Sequence, residues 1–178
     1  MKIDIARQPL VPAFMTLFAL AVAAMCAGIP VSDTSGAVRD ALPLLGGQLA
    51  RFQAAYPVWS KFAAGFMLLF AGMCAGRITI RYNLYTVGTC LPIPLYAIVA
   101  CGIATGGNYL AGFAASMLLA LATKNYCRAF CNGYGFDAIF RASLYLGLMP
   151  LIYAPALPLL LLLPLAVLLF RRTFREVA

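Results

Sequence analysis

Apolar residues in this chain come in long blocks, and polar residues are largely confined to the gaps between them. The first block, 10–29, holds about 20 residues, enough to cross a hydrocarbon core of ~30 Å as a helix rising 1.5 Å per residue. The second, 58–76, ends at Arg77. Two shorter runs follow, 91–105 and 109–123, separated by the turn Gly106-Gly107-Asn108; each gives roughly 22 Å of helix. A last pair, 136–153 and 157–170, is joined by proline-rich residues and stopped by Arg171-Arg172. The pattern predicts an all-α, polytopic membrane helical bundle of about six spans in one membrane domain. Thr89, Cys90, Lys124 and Tyr126 can extend the two short runs by a turn, which favours two short spans over a re-entrant hairpin.

Segment 30–57 has a different rhythm. Val38, Leu42, Leu45, Leu49, Phe52 and Tyr56 recur at steps of four and three, with Arg39, Asp40, Gln48, Arg51 and Gln53 between them. One apolar stripe on a polar helix predicts an interfacial amphipathic helix, interrupted at Pro43 and Gly46-Gly47. Tyr56, Trp59 and Lys61 then read as the interfacial anchor of the second span. Small residues four apart predict close helix contacts: Ala19, Ala23 and Ala27 in the first block, Gly72 and Gly76 in the second, Ala111/Ala115 and Gly112/Ser116 in the fourth. The polar stretches 77–90 and 124–135 read as loops, and Pro150 and Pro164 predict kinks in the last two spans. An uncleaved first helix is the better reading of block 10–29 than a signal peptide, since the later spans need an anchor.

Hydrophobic residues make up 64% of the 178 and charged residues 10%, against about 25% charged in a soluble domain. That excludes a soluble globule. The net charge of +8 comes from basic residues placed singly or in pairs at the ends of apolar runs. Such placement points to topology determinants and anionic lipid headgroups as partners, not to nucleic acid. With the N-terminus inside, Lys2, Arg7, Arg77, Arg81, Lys124, Arg128, Arg171, Arg172 and Arg175 fall on the inner side, and only Arg39, Arg51 and Lys61 on the outer. The bias predicts an N-in, C-in topology.

Histidine is absent, which removes the commonest acid–base group and metal ligand. Cys127 and Cys131 share a helix face, yet no second pair completes a zinc site; neither a metal nor another cofactor is expected. No two carboxylates have a spacing suited to joint acid–base work, so no catalytic residue is assigned. Asp137 and Arg141, four apart, can pair along one helix face at the mouth of the last hairpin. With Arg81 and Arg128 they form the candidate binding site, at the level of lipid headgroups. The plainer reading is that Asp137 favours the positive end of a helix while Arg141 reaches toward headgroups. Tyr82, Tyr85, Tyr126 and Tyr134 read as belt residues that with Arg81 and Arg128 line a headgroup pocket, and Asn83, Asn108, Asn125 and Asn132 as turn residues.

The residues Arg81-Tyr82-Asn83-Leu84, Leu91-Pro92, Phe136-Asp137-Ala138, Ala142-Ser143-Leu144-Tyr145 and the turn Tyr153-Ala154-Pro155 carry a resemblance. The chain resembles an uncharacterised family of multi-spanning inner-membrane proteins from Bacteroidota. The family usually has a basic residue before the Leu-Pro step, where this chain has Gly88-Thr89-Cys90, and its members are usually longer, so the expectation is a truncated member. The resemblance implies location and architecture but no reaction. A non-enzymatic scaffold or subunit of an envelope assembly, with a membrane-protein partner, is the first functional expectation. The alternative is a permease or flippase for a lipid-linked or anionic small molecule, and an enzyme acting on polyprenyl-linked sugars comes third.

Overall fold

The computed structural model describes residues 10–26, 44–82, 90–103, 109–131 and 136–169, and every regular element among them is a helix. In chain order these are α1 (Leu10–Cys26), α2 (Leu44–Ala55), α3 (Pro57–Arg81), α4 (Pro92–Ile103), α5 (Tyr109–Cys131), α6 (Phe136–Ile152), a 3-10 helix (Ala154–Leu161) and α7 (Leu162–Leu169). Val38, Leu42 and Pro43 of the expected interfacial helix lie outside the described residues. Among those residues, α3 is the one helix long and apolar enough to cross a membrane, at 25 residues.

The bundle is built around α3, which packs against α1, α4 and α5. Proline at its start costs nothing, because the first helical N–H has no partner within the helix. The Gly72/Gly76 step is where its neighbours come closest. A methyl group on Gly72 would lie 2.9 Å from both Leu17 methyls of α1 and 3.3 Å from Cδ1 of Tyr96; one on Gly76 would lie 2.5 Å from Cδ1 of Ile93 on α4. The predicted close approach is therefore present, and α1 and α4 share it. The surrounding core is Ala13, Leu17, Ala21, Leu68, Ile93, Ala97 and Phe113. The expected alanine stripe on α1 is displaced: Ala19 and Ala23 are exposed and Ala13, Leu17 and Ala21 buried. A shift of two positions turns a helix by about 200°, so the opposite face is used. Ala27 lies outside the described residues. On α5 the pairs fall as expected, with Ala111, Gly112 and Ala115 buried and Ser116 partly so.

Contacts fix the helix directions. Ser60, early in α3, bonds Tyr109 at the start of α5, and Arg77 and Arg81 at the end of α3 meet Lys124 late in α5. The two helices are parallel. Ile93 sits at Gly76 and Tyr96 at Gly72, so α4 runs the other way. Residues 132–135 separate α5 from α6, and the two pack through Ala115, Ala122, Leu146 and Met149, so α6 returns antiparallel. Consecutive elements from α3 to α6 thus alternate in direction.

Two stretches expected as loops are helical where described. Helix α3 continues to Arg81 and α5 to Cys131. Neither extension contains glycine or proline, and Ile78, Thr79 and Ala129 are buried in them, so packing favours continuing the helix. Asn125, expected in a turn, lies inside α5 with its amide donating to the Leu121 carbonyl at 2.9 Å. Helix α2 passes through Gly46-Gly47 without a break. The expected last span begins instead as a 3-10 helix, Ala154–Leu161. Pro155 and Pro158 donate no backbone N–H, and a proline ring collides with the carbonyl four residues earlier. Pro164 then falls in the first turn of α7, where it is tolerated.

Outward faces are apolar. Stacked phenylalanines four apart cover α1 (Phe14, Phe18), α3 (Phe66, Phe70) and α6 (Phe136, Phe140), all exposed, with Ile98 and Val99 on α4. Hydroxyls on the helices bond their own backbone: Thr16 to Ala13, Thr79 to Ala75 and Thr123 to Leu119, at 2.8 to 2.9 Å. Such bonds leave little polar demand on the surroundings.

Candidate functional site

Asp137 and Arg141 form the pair their spacing predicts, Arg141 Nε donating to Asp137 Oδ1 at 3.0 Å. Asp137 occupies the first turn of α6, where the partial positive charge of the helix end favours a carboxylate. The pair is not enclosed, however: the side chains are 57% (Arg141) and 66% (Asp137) exposed. The buried face of α6 is Ala138, Ala142, Leu146 and Met149, and the charged residues stand off it.

Arg81 is placed elsewhere. In the last turns of α3 it lines a crevice together with Cys74, Arg77, Ile78, Tyr82 and Lys124. The crevice encloses about 20 Å³, room for a water molecule and little more. Arg128 is exposed near the end of α5. The four predicted residues therefore divide into a self-contained pair on α6, a cation in the α3/α5 crevice, and an exposed cation on α5. Arg77 and Lys124 are the site residues sequence reasoning passed over. Their signal was the alternation of spans, which brings the ends of the second and fourth runs to one side. Tyr85 and Tyr134 lie outside the described residues. Tyr126 buries its hydroxyl beside Ser143 without closing a hydrogen bond to it.

The opposite end of the bundle is aromatic. Phe52, Tyr56, Trp59, Phe62 and Ala63 line an open groove of about 440 Å³. Beneath it, Ser60 Oγ donates to the Pro57 carbonyl at 2.8 Å and meets Tyr109 Oη at 2.5 Å. The serine proton is already committed, so the tyrosine donates. Gln53, 5% exposed, points inward from α2, and its Oε1 accepts from Leu110 N at 3.4 Å. That N–H is among the first of α5, which have no acceptor within their own helix. The inward face of α2 is thus Gly46, Leu49 and Gln53, while Phe52 and, just past the helix, Tyr56 face out.

Among the described residues no three histidine, cysteine or carboxylate side chains come together to hold a metal, and Cys74 and Cys90 are free thiols. No protein-family model matches the chain, and no curated protein or solved structure is significantly similar to it.

Proposed function

We propose that the chain is a multi-pass protein of the bacterial inner membrane, N-in and C-in with about six spans, serving as a non-enzymatic scaffold or subunit of an envelope assembly. The observation that carries this reading is the arrangement of its faces. Alanine and glycine fill the helix contacts, and phenylalanine, isoleucine and valine point outward from α1, α3, α4 and α6. A water-soluble monomer rarely exposes contiguous apolar surface beyond a few hundred Å², whereas lipid tails solvate such faces and small residues let helices pack in them. Helix α2, with its outward Phe52 and with Tyr56 just past its end, takes the interfacial position. Membership of the Bacteroidota family belongs to the same proposal and rests on the short motifs quoted above. The permease alternative draws no support from the Asp137–Arg141 pair, which faces away from the helix core.

Trp59 is the single tryptophan and is 68% exposed beside Tyr56 and Phe62. In liposomes its emission should be blue-shifted and quenched more by lipids brominated near the headgroup than near the chain end. A spectrum typical of water, unchanged by either lipid, would sink the membrane reading. For the role itself, purification in mild detergent should recover a stoichiometric membrane-protein partner. A monodisperse lone monomer would count against the scaffold.

A further inference from the structure

We propose that the α3/α5 crevice is a binding site for an anionic phospholipid, with Arg77, Arg81 and Lys124 holding its phosphate. The inference rests on the membrane reading above and adds a ligand class and a place. Three cations converge there. Among the described residues the single carboxylate is that of Asp137, and it is engaged by Arg141. Among the described residues no carboxylate faces these three cations, and guanidinium groups hold phosphate through paired N–H donors.

Depth agrees with a headgroup. Lys61 and Arg81 are 20 residues apart on one helix, so their Cα atoms are separated by about 30 Å, the thickness of the hydrocarbon core. Lys61 lies among the aromatic residues of the outer end. Arg81 then stands at the opposite boundary, and Arg77 sits one turn inside it with a side chain able to extend to the phosphate layer.

The surface leading to the crevice selects a lipid over a free phosphate. Phe66, Phe70, Met73, Arg77 and Arg81 are all exposed and follow one another at steps of four and three, so they form one stripe down α3. Its apolar part matches an acyl chain and its basic end the phosphate to which that chain is joined. The crevice itself is too small for a sugar or a base, so the phosphate sits across its mouth. Tyr82 stands beside the arginines there.

The test uses the full chain in phosphatidylcholine nanodiscs, with retained lipid read by native mass spectrometry after adding phosphatidylglycerol. Phosphatidylglycerol should be held in preference to phosphatidylcholine. Arg81→Gln and Lys124→Gln should each weaken its retention about fivefold, corresponding to ~1 kcal/mol for each cation at an anionic surface. Arg51→Gln, which removes an exposed cation from α2, should leave retention unchanged. Equal retention of the two lipids, equal loss in Arg51→Gln, or displacement of the lipid by inorganic phosphate at equal concentration would each overturn the proposal. A chain that inserts, by its Trp59 emission, yet shows no lipid preference refutes this site alone. One that fails to insert refutes the membrane reading.

Discussion

Gly76→Ala adds one methyl group at the point where α3 and α4 come closest. That group would lie 2.5 Å from Cδ1 of Ile93 and closer still to its Cγ1. Ile93 is 1% exposed, so it has no free space to rotate into, and the helices must separate or the side chain leave its preferred rotamer. Overpacking of this kind costs about 1–3 kcal/mol. Against it runs the helix-forming advantage of alanine over glycine, ~1 kcal/mol. Gly147→Ala on α6 supplies the reference, because a methyl group there meets nothing within 4 Å and only the favourable term acts. The difference between the two variants removes the shared propensity and isolates the clash, about 1–3 kcal/mol. In a chain of this size each kcal/mol moves the Tm by roughly 2–4 °C. Thermal unfolding of both full-length variants in one mild detergent, followed by helical circular dichroism, measures it. Gly72→Ala should fall between them, since it meets only the terminal methyls of Leu17 at 2.9 Å and the Tyr96 ring at 3.3 Å. If Gly76→Ala melts at or above Gly147→Ala, then α4 is not seated on Gly76 and the packing account fails.

Ser60→Ala strands the buried Tyr109 hydroxyl and should cost about 1–3 kcal/mol, whereas Tyr109→Phe leaves Ser60 bonded to Pro57 and should cost about 0.5–1.5 kcal/mol. Melts showing the reverse order would contradict tyrosine as the donor. Arg141→Gln should shift stability by no more than ~0.5 kcal/mol, the worth of an exposed pair one turn apart on a helix. Asp137→Asn should shift it by up to about 1 kcal/mol, since it also loses the favourable charge at the helix start. A loss above ~1.5 kcal/mol in either would mean that the pair is desolvated.

What could be read from the sequence was whatever depends on local spacing. The all-helical class, the Gly72/Gly76 step and the Asp137–Arg141 pair all follow from residues three or four apart. Helix ends are not legible from polarity alone. Residues 77–81 and 124–131 are polar enough to leave an apolar core, but they contain nothing that breaks a helix, and their neighbours bury Ile78, Thr79 and Ala129. The alanine stripe on α1 misleads because alanines lie on both sides of that helix, and Ala13 and Ala21, with Leu17, are the ones that pack. At α2, Phe52 and, just past the helix, Tyr56 face out, while Gln53 faces in to reach the start of α5. The Ser60–Tyr109 contact joins residues 49 positions apart, and no local period encodes it. Asp137, Arg141, Arg81 and Arg128 share only a place near one boundary of the apolar runs. Grouping Arg81 with Arg77 and Lys124 requires knowing that α3 and α5 are parallel.

The shared seat of α1 and α4 on α3 also sets an order of events during synthesis. Leu17 rests on Gly72, while Ile93, which occupies the next step at Gly76, follows Leu17 by 76 residues. At about 5–20 residues per second, roughly 4–15 s pass between the making of the first helix and that of the last of its packing partners. Gly72 follows Leu17 by 55 residues, so α3 is made about 3–11 s after α1 and the rest of the seat only with α4. Until α3 is made, the face of α1 that carries Ala13, Leu17 and Ala21 is open to the α3 of another copy, and the speed of translation through residues 30–72 governs how long that choice stays open.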